Sequence, residues 1–153
     1  MAAVYIGIMI GSARAARAQV LANWREEHRR EPRALMVGPV FLNPLRKAVI
    51  VDEGASYRRG AFVWPDHVAY NARVTPGNHE HPAVIAARAN RDVRALLVWA
   101  RFPYFTIAQA DHTTLVTVRD MRFGDRIGVV TVSVPAAPLT TRPVEGEQSP
   151  DSR

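Results

Sequence analysis

Between Gly77 and Pro82 the chain reads Gly-Asn-His-Glu-His-Pro, with His79, Glu80 and His81 in succession. Imidazoles and carboxylates hold zinc or manganese, and they move protons in hydrolysis. The spacing argues against a metal here. His79 and His81 are two positions apart, so an extended chain turns them to opposite sides. A catalytic zinc takes three protein ligands and a structural zinc takes four. The His-x-x-x-His pair of helical zinc sites is missing. His28, His67 and His112 stand in other segments, without an acidic cluster beside them. A polar run ahead of a helix that begins at Pro82 is accounted for by orphan amides and water. The expectation is that His79 and His81 hold no metal and contribute little to the fold. A small soluble metal hydrolase built on these two histidines is the alternative.

The second constellation joins Trp-Ala-Arg-Phe-Pro (99–103) to Arg-Asp-Met-Arg-Phe-Gly-Asp-Arg (119–126). If the end of a helix meets the end of a strand there, Arg101, Asp120 and Arg122 form an ion network. Such a network either ties helix to sheet or offers an arginine fork to an anion or a partner. Nucleophile-elbow and phosphate-cradling glycine motifs are both missing. No catalytic residue is assigned.

The elements that position these groups follow from periodicity. Residues 1–13 are almost wholly apolar, with Tyr5, Ile6, Met9 and Ile10 leaving no polar face, and Arg14, Arg17, Arg25, Arg29 and Arg30 come after them. Charge after the apolar run is the wrong order for a secretion signal. The run is also too short for a full membrane span, which takes about 20 residues. It reads as the end of a membrane helix, with residues 1–30 forming an N-terminal helix and a basic juxtamembrane segment. An apolar surface of that kind promotes self-association or detergent binding.

Short period-two runs then predict strands over 34–42, 46–52, 57–64, 67–74, 104–110, 113–120 and 127–134. Pro39 places the first of these at an edge. Glu-Gly-Ala-Ser (53–56) signals a hairpin, and Phe123-Gly124-Asp125 a turn. One soluble helix is expected over 82–101, with Ile85, Ala89, Val93, Leu96, Leu97 and Ala100 as its apolar stripe. The proline-rich tail, 135–153, is expected to be disordered. The predicted fold is α+β: a mostly antiparallel sheet of five to six strands with one packed helix, preceded by the N-terminal helix. The soluble domain covers 31–134.

The totals fit one domain. The chain has 153 residues, a formal charge of +6 and no cysteine, so disulfides and thiolate metal sites are excluded. Lys47 is its only lysine, and the arginines are scattered along the chain. A stand-alone basic module for anionic partners such as nucleic acid is a second alternative. The scatter gives no basic stripe, so nucleic acid is not the expected partner.

The stretches 43–64, beginning Asn-Pro-Leu-Arg-Lys-Ala-Val-Ile-Val-Asp-Glu-Gly-Ala-Ser-Tyr, 93–107 and 116–124 together resemble the C-terminal region of the membrane-bound metal-dependent hydrolase family (YdjM type). Asn43, Pro44 and Leu45 match its opening. Trp99, Arg101, Phe102 and Pro103 match its helix end, and Asp120, Arg122 and Phe123 its terminal motif. The family opening usually continues into a tryptophan, where Arg46-Lys47 stands here. The resemblance covers residues 5–134. It implies a cytoplasmic accessory domain of a bacterial inner-membrane hydrolase, with the membrane as partner. The family's His- and Asp-rich metal motifs belong to an upstream membrane part and have no counterpart here. A divalent metal is thus implied for a full-length member, and no cofactor for this chain. Arginines directly after the apolar run place the domain on the inside face.

Overall fold

The computed structural model describes residues 2–40, 43–123 and 127–135, and of residues 2–9 the backbone alone. Helix α1 (Ala2–His28) leads into strands β1 (Ala34–Val40), β2 (Asn43–Asp52), β3 (Ser56–Val63) and β4 (His67–Pro76). These pair antiparallel in chain order, with β1 at one edge as Pro39 requires. Helices α2 (Pro82–Ala87) and α3 (Arg91–Trp99) precede β5 (Pro103–Ala110), β6 (Thr113–Asp120) and β7 (Val130–Pro135). The expected α+β class and N-terminal helix are present. The single sheet of five to six strands is instead two, of four and three strands among the described residues. The helices separate β4 from β5, and β5 takes its hairpin partner β6, so β4 and β5 both remain edges.

The single helix expected over 82–101 is also divided. Asn90 is extended, and its side-chain oxygen accepts from the backbone N–H of Asp92 at 2.8 Å and of Val93 at 3.4 Å. Asparagine is among the strongest N-caps, so a new helix starts where the old one was expected to continue. The break rotates the first half. Val84 and Ala87 face inward, and Ile85, expected in the apolar stripe, is 60% exposed. Val93 and Leu96 are buried as expected.

Each sheet has its own helical cover. Ala16, Val20 and Trp24, one turn apart along α1, pack on Leu35, Val49, Val51 and Phe62. Val84, Ala87, Val93 and Leu96 pack on Phe105, Val116, Val118 and Val134. A smaller seam of Ile50, Tyr57, Phe102, Tyr104 and Met121 joins the two halves. The Val49-Ile50-Val51 run is therefore buried on both faces, odd positions toward α1 and Ile50 toward the seam. Along β6 burial alternates strictly, and Asp120 continues the inward series of Thr114, Val116 and Val118.

Among the described side chains of α1, Ala16 is the first in this packing, and Ile10 is 52% exposed. No helix among the described residues is long and apolar enough to cross a membrane. The side chains of Tyr5, Ile6 and Met9 lie outside the described residues, as does the tail after Pro135. Part of the turn expected at Phe123-Gly124-Asp125 lies outside them too.

Candidate functional site: a carboxylate clamp and an arginine-lined cleft

The two stretches around Arg101 and Asp120 do meet. Asp120 is fully buried, and its Oδ2 accepts from the backbone N–H of Arg101 at 2.9 Å and from Arg122 Nη2 at 2.7 Å. Its Oδ1 accepts from the backbone N–H of Arg122 at 2.9 Å. Arg122 Nη2 also donates to the Trp99 carbonyl at 2.9 Å, and the guanidinium lies over the Phe123 ring. Burial alone would raise the carboxyl pKa. The Arg122 side chain and the N–H groups of Arg122 and Arg101 outweigh it and hold Asp120 below the ordinary carboxylate range. Arg101 thus contributes its amide to this clamp, and its exposed side chain lines a cleft instead. The geometry is that of a structural fastener between the end of α3 and the end of β6.

The Gly-Asn-His-Glu-His-Pro loop is stapled on both sides. Gly77 N–H donates to the Ala55 carbonyl at 2.8 Å, Phe105 N–H to the Gly77 carbonyl at 3.2 Å, and Asn78 Nδ2 to the Phe105 carbonyl at 2.7 Å. The two histidines then part. His81 Nδ1 accepts from Ala83 N–H at 3.2 Å and caps α2. His79 is half-buried against Phe105, with Nε2 3.0 Å from the Tyr57 hydroxyl and Nδ1 3.4 Å from Arg88 Nη2. Tyr57 donates its one proton to the Pro103 carbonyl at 2.8 Å. It therefore accepts from His79 Nε2–H, and Nδ1 is left to accept from Arg88: a neutral imidazole in one tautomer. Burial, then Arg88, lowers the His79 pKa, while burial and then Asp52 push Tyr57 up to about 12.

No protein-family model, curated protein or solved structure matches the chain. What the arrangement can do is therefore argued from its own groups. Arg33, Arg88 and Arg101 stand with Asp52 and Glu80 around a cleft of about 620 Å³ floored by Tyr57 and His79. Tyr57 is held protonated, and the lowered pKa of His79 favours a neutral ring whose two nitrogens are both engaged, one by the Tyr57 hydroxyl and one by Arg88. Among the described residues no three His, Asp or Glu side chains gather into a metal-binding group. Sequence reasoning singled out Arg101 and His79 but missed Tyr57, Arg33 and Arg88. Tyr57 and His79 are 22 positions apart, and only the hairpin beside the loop brings them together. The expectation that His79 contributes little to the fold is revised by these contacts, because its ring is part of the packed floor.

A Cβ added to Gly77 would lie 2.7 Å from His79 Cδ2 and 3.2 Å from the Ala55 carbonyl oxygen. Gly77→Ala is expected to push the imidazole off Tyr57 and to cost about 1–3 kcal/mol. Proton NMR titration should then show His79 moving up toward the ordinary histidine range. In the parent, the depressed pKa means the unfolded chain binds the proton first as pH falls below the usual histidine value. That part of the stability is present above this value and lost on acidification through the folded pKa. An unchanged His79 titration in Gly77→Ala would show that the glycine does not set the ring's position.

Proposed function

We propose that this chain is a non-catalytic accessory domain of a membrane-bound metal-dependent hydrolase, carried at the membrane by the first turns of α1. One observation carries the reading. Two of the three stretches on which the resemblance rests, around Trp99–Pro103 and Asp120–Phe123, meet in the Asp120 clamp. Their sequence pattern is thus accounted for by one buried piece of structure rather than by separate coincidences. The course of α1 gives further support: among its described side chains Ala16 is the first in the packed cluster, and Ile10 before it is 52% exposed. The groups of the His79 cleft are held in one hydrogen-bonding pattern by Tyr57, Pro103 and Arg88, in keeping with a binding role.

Flotation of the full chain with vesicles of phosphatidylethanolamine and phosphatidylglycerol tests the membrane arm. The parent is expected to float with the lipid, and Ile6→Glu with Ile10→Glu to remain below. The same preparation is expected to show no metal-dependent hydrolysis of p-nitrophenyl phosphate or p-nitrophenyl acetate with zinc or manganese. A parent chain that ignores the vesicles overturns the membrane link. One metal per chain, with hydrolysis lost in His79→Ala plus His81→Ala, overturns the non-catalytic role.

A further inference from the structure

Asn78 lines a groove of about 470 Å³ between the two sheet edges β4 and β5. Its wall on the four-stranded sheet is built by an irregularity. Arg58 pairs with Val74 and Gly60 with Tyr70, so Arg59 alone stands opposite Asn71, Ala72 and Arg73. Such bulges re-aim side chains, and they are over-represented at functional sites. Here Arg59, Asn71 and Arg73 all line the groove. Gly60 permits the close approach at this point, since a Cβ there would lie 2.6 Å from the Ala69 carbonyl oxygen.

The facing wall comes from the other sheet, with Thr106 and Arg119. Arg119 Nη1 donates to Thr106 Oγ1 at 3.1 Å, and Arg59 is braced through Nη2 on the Met121 carbonyl at 2.8 Å and Nε on its sulfur at 3.0 Å. Arg59 is thus held in place by neutral acceptors, and bracing of this kind leaves its charge in force. Arg73 is exposed and enters none of the ion pairs among the described residues. No carboxylate is among the described residues that line the groove, in contrast to the Asp52 and Glu80 of the His79 cleft.

We propose that this groove is a binding site for a phosphate group, taken from a small phosphomonoester or from free phosphate. Planar guanidinium forks match the oxygens of phosphate in pairs, and the side-chain amides of Asn71 and Asn78 and the hydroxyl of Thr106 supply neutral donors beside them. The volume admits a phosphate with a small organic group rather than a duplex. This site does not rest on the membrane reading, since none of the side chains that line it belongs to α1 or makes the hydrogen bonds of the Asp120 clamp.

Isothermal titration of the full chain with inorganic phosphate, then with glycerol 3-phosphate, tests it at low ionic strength. Both are expected to bind, the ester more tightly if the organic group also sits in the groove. Arg73→Gln is expected to weaken binding about tenfold, the worth of one charge-assisted hydrogen bond. Arg59→Gln should do likewise, while Arg91→Gln, a change of equal charge on α3, should leave affinity as it was. Circular dichroism of each variant establishes that it is folded, and Arg73, being exposed, is the variant whose fold is least at stake. Equal weakening by Arg91→Gln would mean that net charge alone attracts the anion, and would overturn the site. So would unchanged binding in Arg73→Gln with Arg59→Gln. Binding of a single-stranded oligonucleotide without any binding of phosphate or its ester would replace the proposal with a nucleic-acid groove.

Discussion

Replacing Asp120 with alanine is expected to lower the stability of folding by about 3–5 kcal/mol, the range for removing one partner of a buried ion pair. The carboxylate is fully buried and accepts from two backbone N–H groups as well as from Arg122. Its removal leaves the Arg101 amide without its acceptor and a partly buried guanidinium without its counter-ion. An exposed ion pair contributes about 0–1 kcal/mol, so urea unfolding separates the two cases cleanly. The pH dependence has a definite sign. The folded-state pKa is depressed, so this contribution is complete above the ordinary carboxylate range. It is lost as pH falls from there through the lowered folded value. The acid limb of the stability curve should therefore be shallower in Asp120→Ala than in the parent. Equal urea midpoints for the two proteins would remove the clamp from any account of stability.

Trp24→Ala is expected to cost about as much, roughly 3–5 kcal/mol, for a different reason. The indole is completely buried between α1 and the four-stranded sheet. It stacks on His28 with ring centroids 3.7 Å apart and meets Tyr70 edge-on at 5.3 Å. Truncation opens a cavity at the main contact that pins the helix. Among the described residues the indole N–H has no hydrogen-bond partner, so Trp24→Phe keeps most of the contact and sacrifices none of the hydrogen bonds described. A loss of about 1–2 kcal/mol is expected for it, within the cost of trimming a core side chain. Should Trp24→Phe prove as damaging as Trp24→Ala, the pinning would depend on the full indole outline and not on buried apolar volume.

The contrast between these two residues shows what could be read from the chain. Asp120 was visible as a member of an alternating strand, because the inward series Thr114, Val116, Val118 extends to it by simple parity. Its arginine partner is two positions away, so the pair was legible too. The strands over 46–52, 57–64 and 104–110 were likewise set by local pattern and appear as β2, β3 and β5. Asn90 was read as an ordinary helical residue, since apolar spacing continues past it; its capping role depends on two amides that face it only after the chain has turned. Division into two sheets was hidden for a similar reason. Nothing in a strand's own alternation states which other strand it will pair with. The cleft and the groove are assembled from the hairpin, the loop and both sheet edges, and contacts over such sequence distances leave no periodic trace.

The small seam has a mechanical consequence. Each sheet with its helix is a plate having its own buried cluster, while Ile50, Tyr57, Phe102, Tyr104 and Met121 are the buried side chains that join them. Opening proceeds most readily where the least apolar surface must be exposed, so the two plates will hinge along this line before either delaminates. Tyr57 to Pro103 and Arg59 to Met121 act as rivets across it. The His79 cleft and the β4–β5 groove both straddle the same line. Whatever occupies either one grips both plates at once, and its binding energy is spent in part on stiffening the hinge.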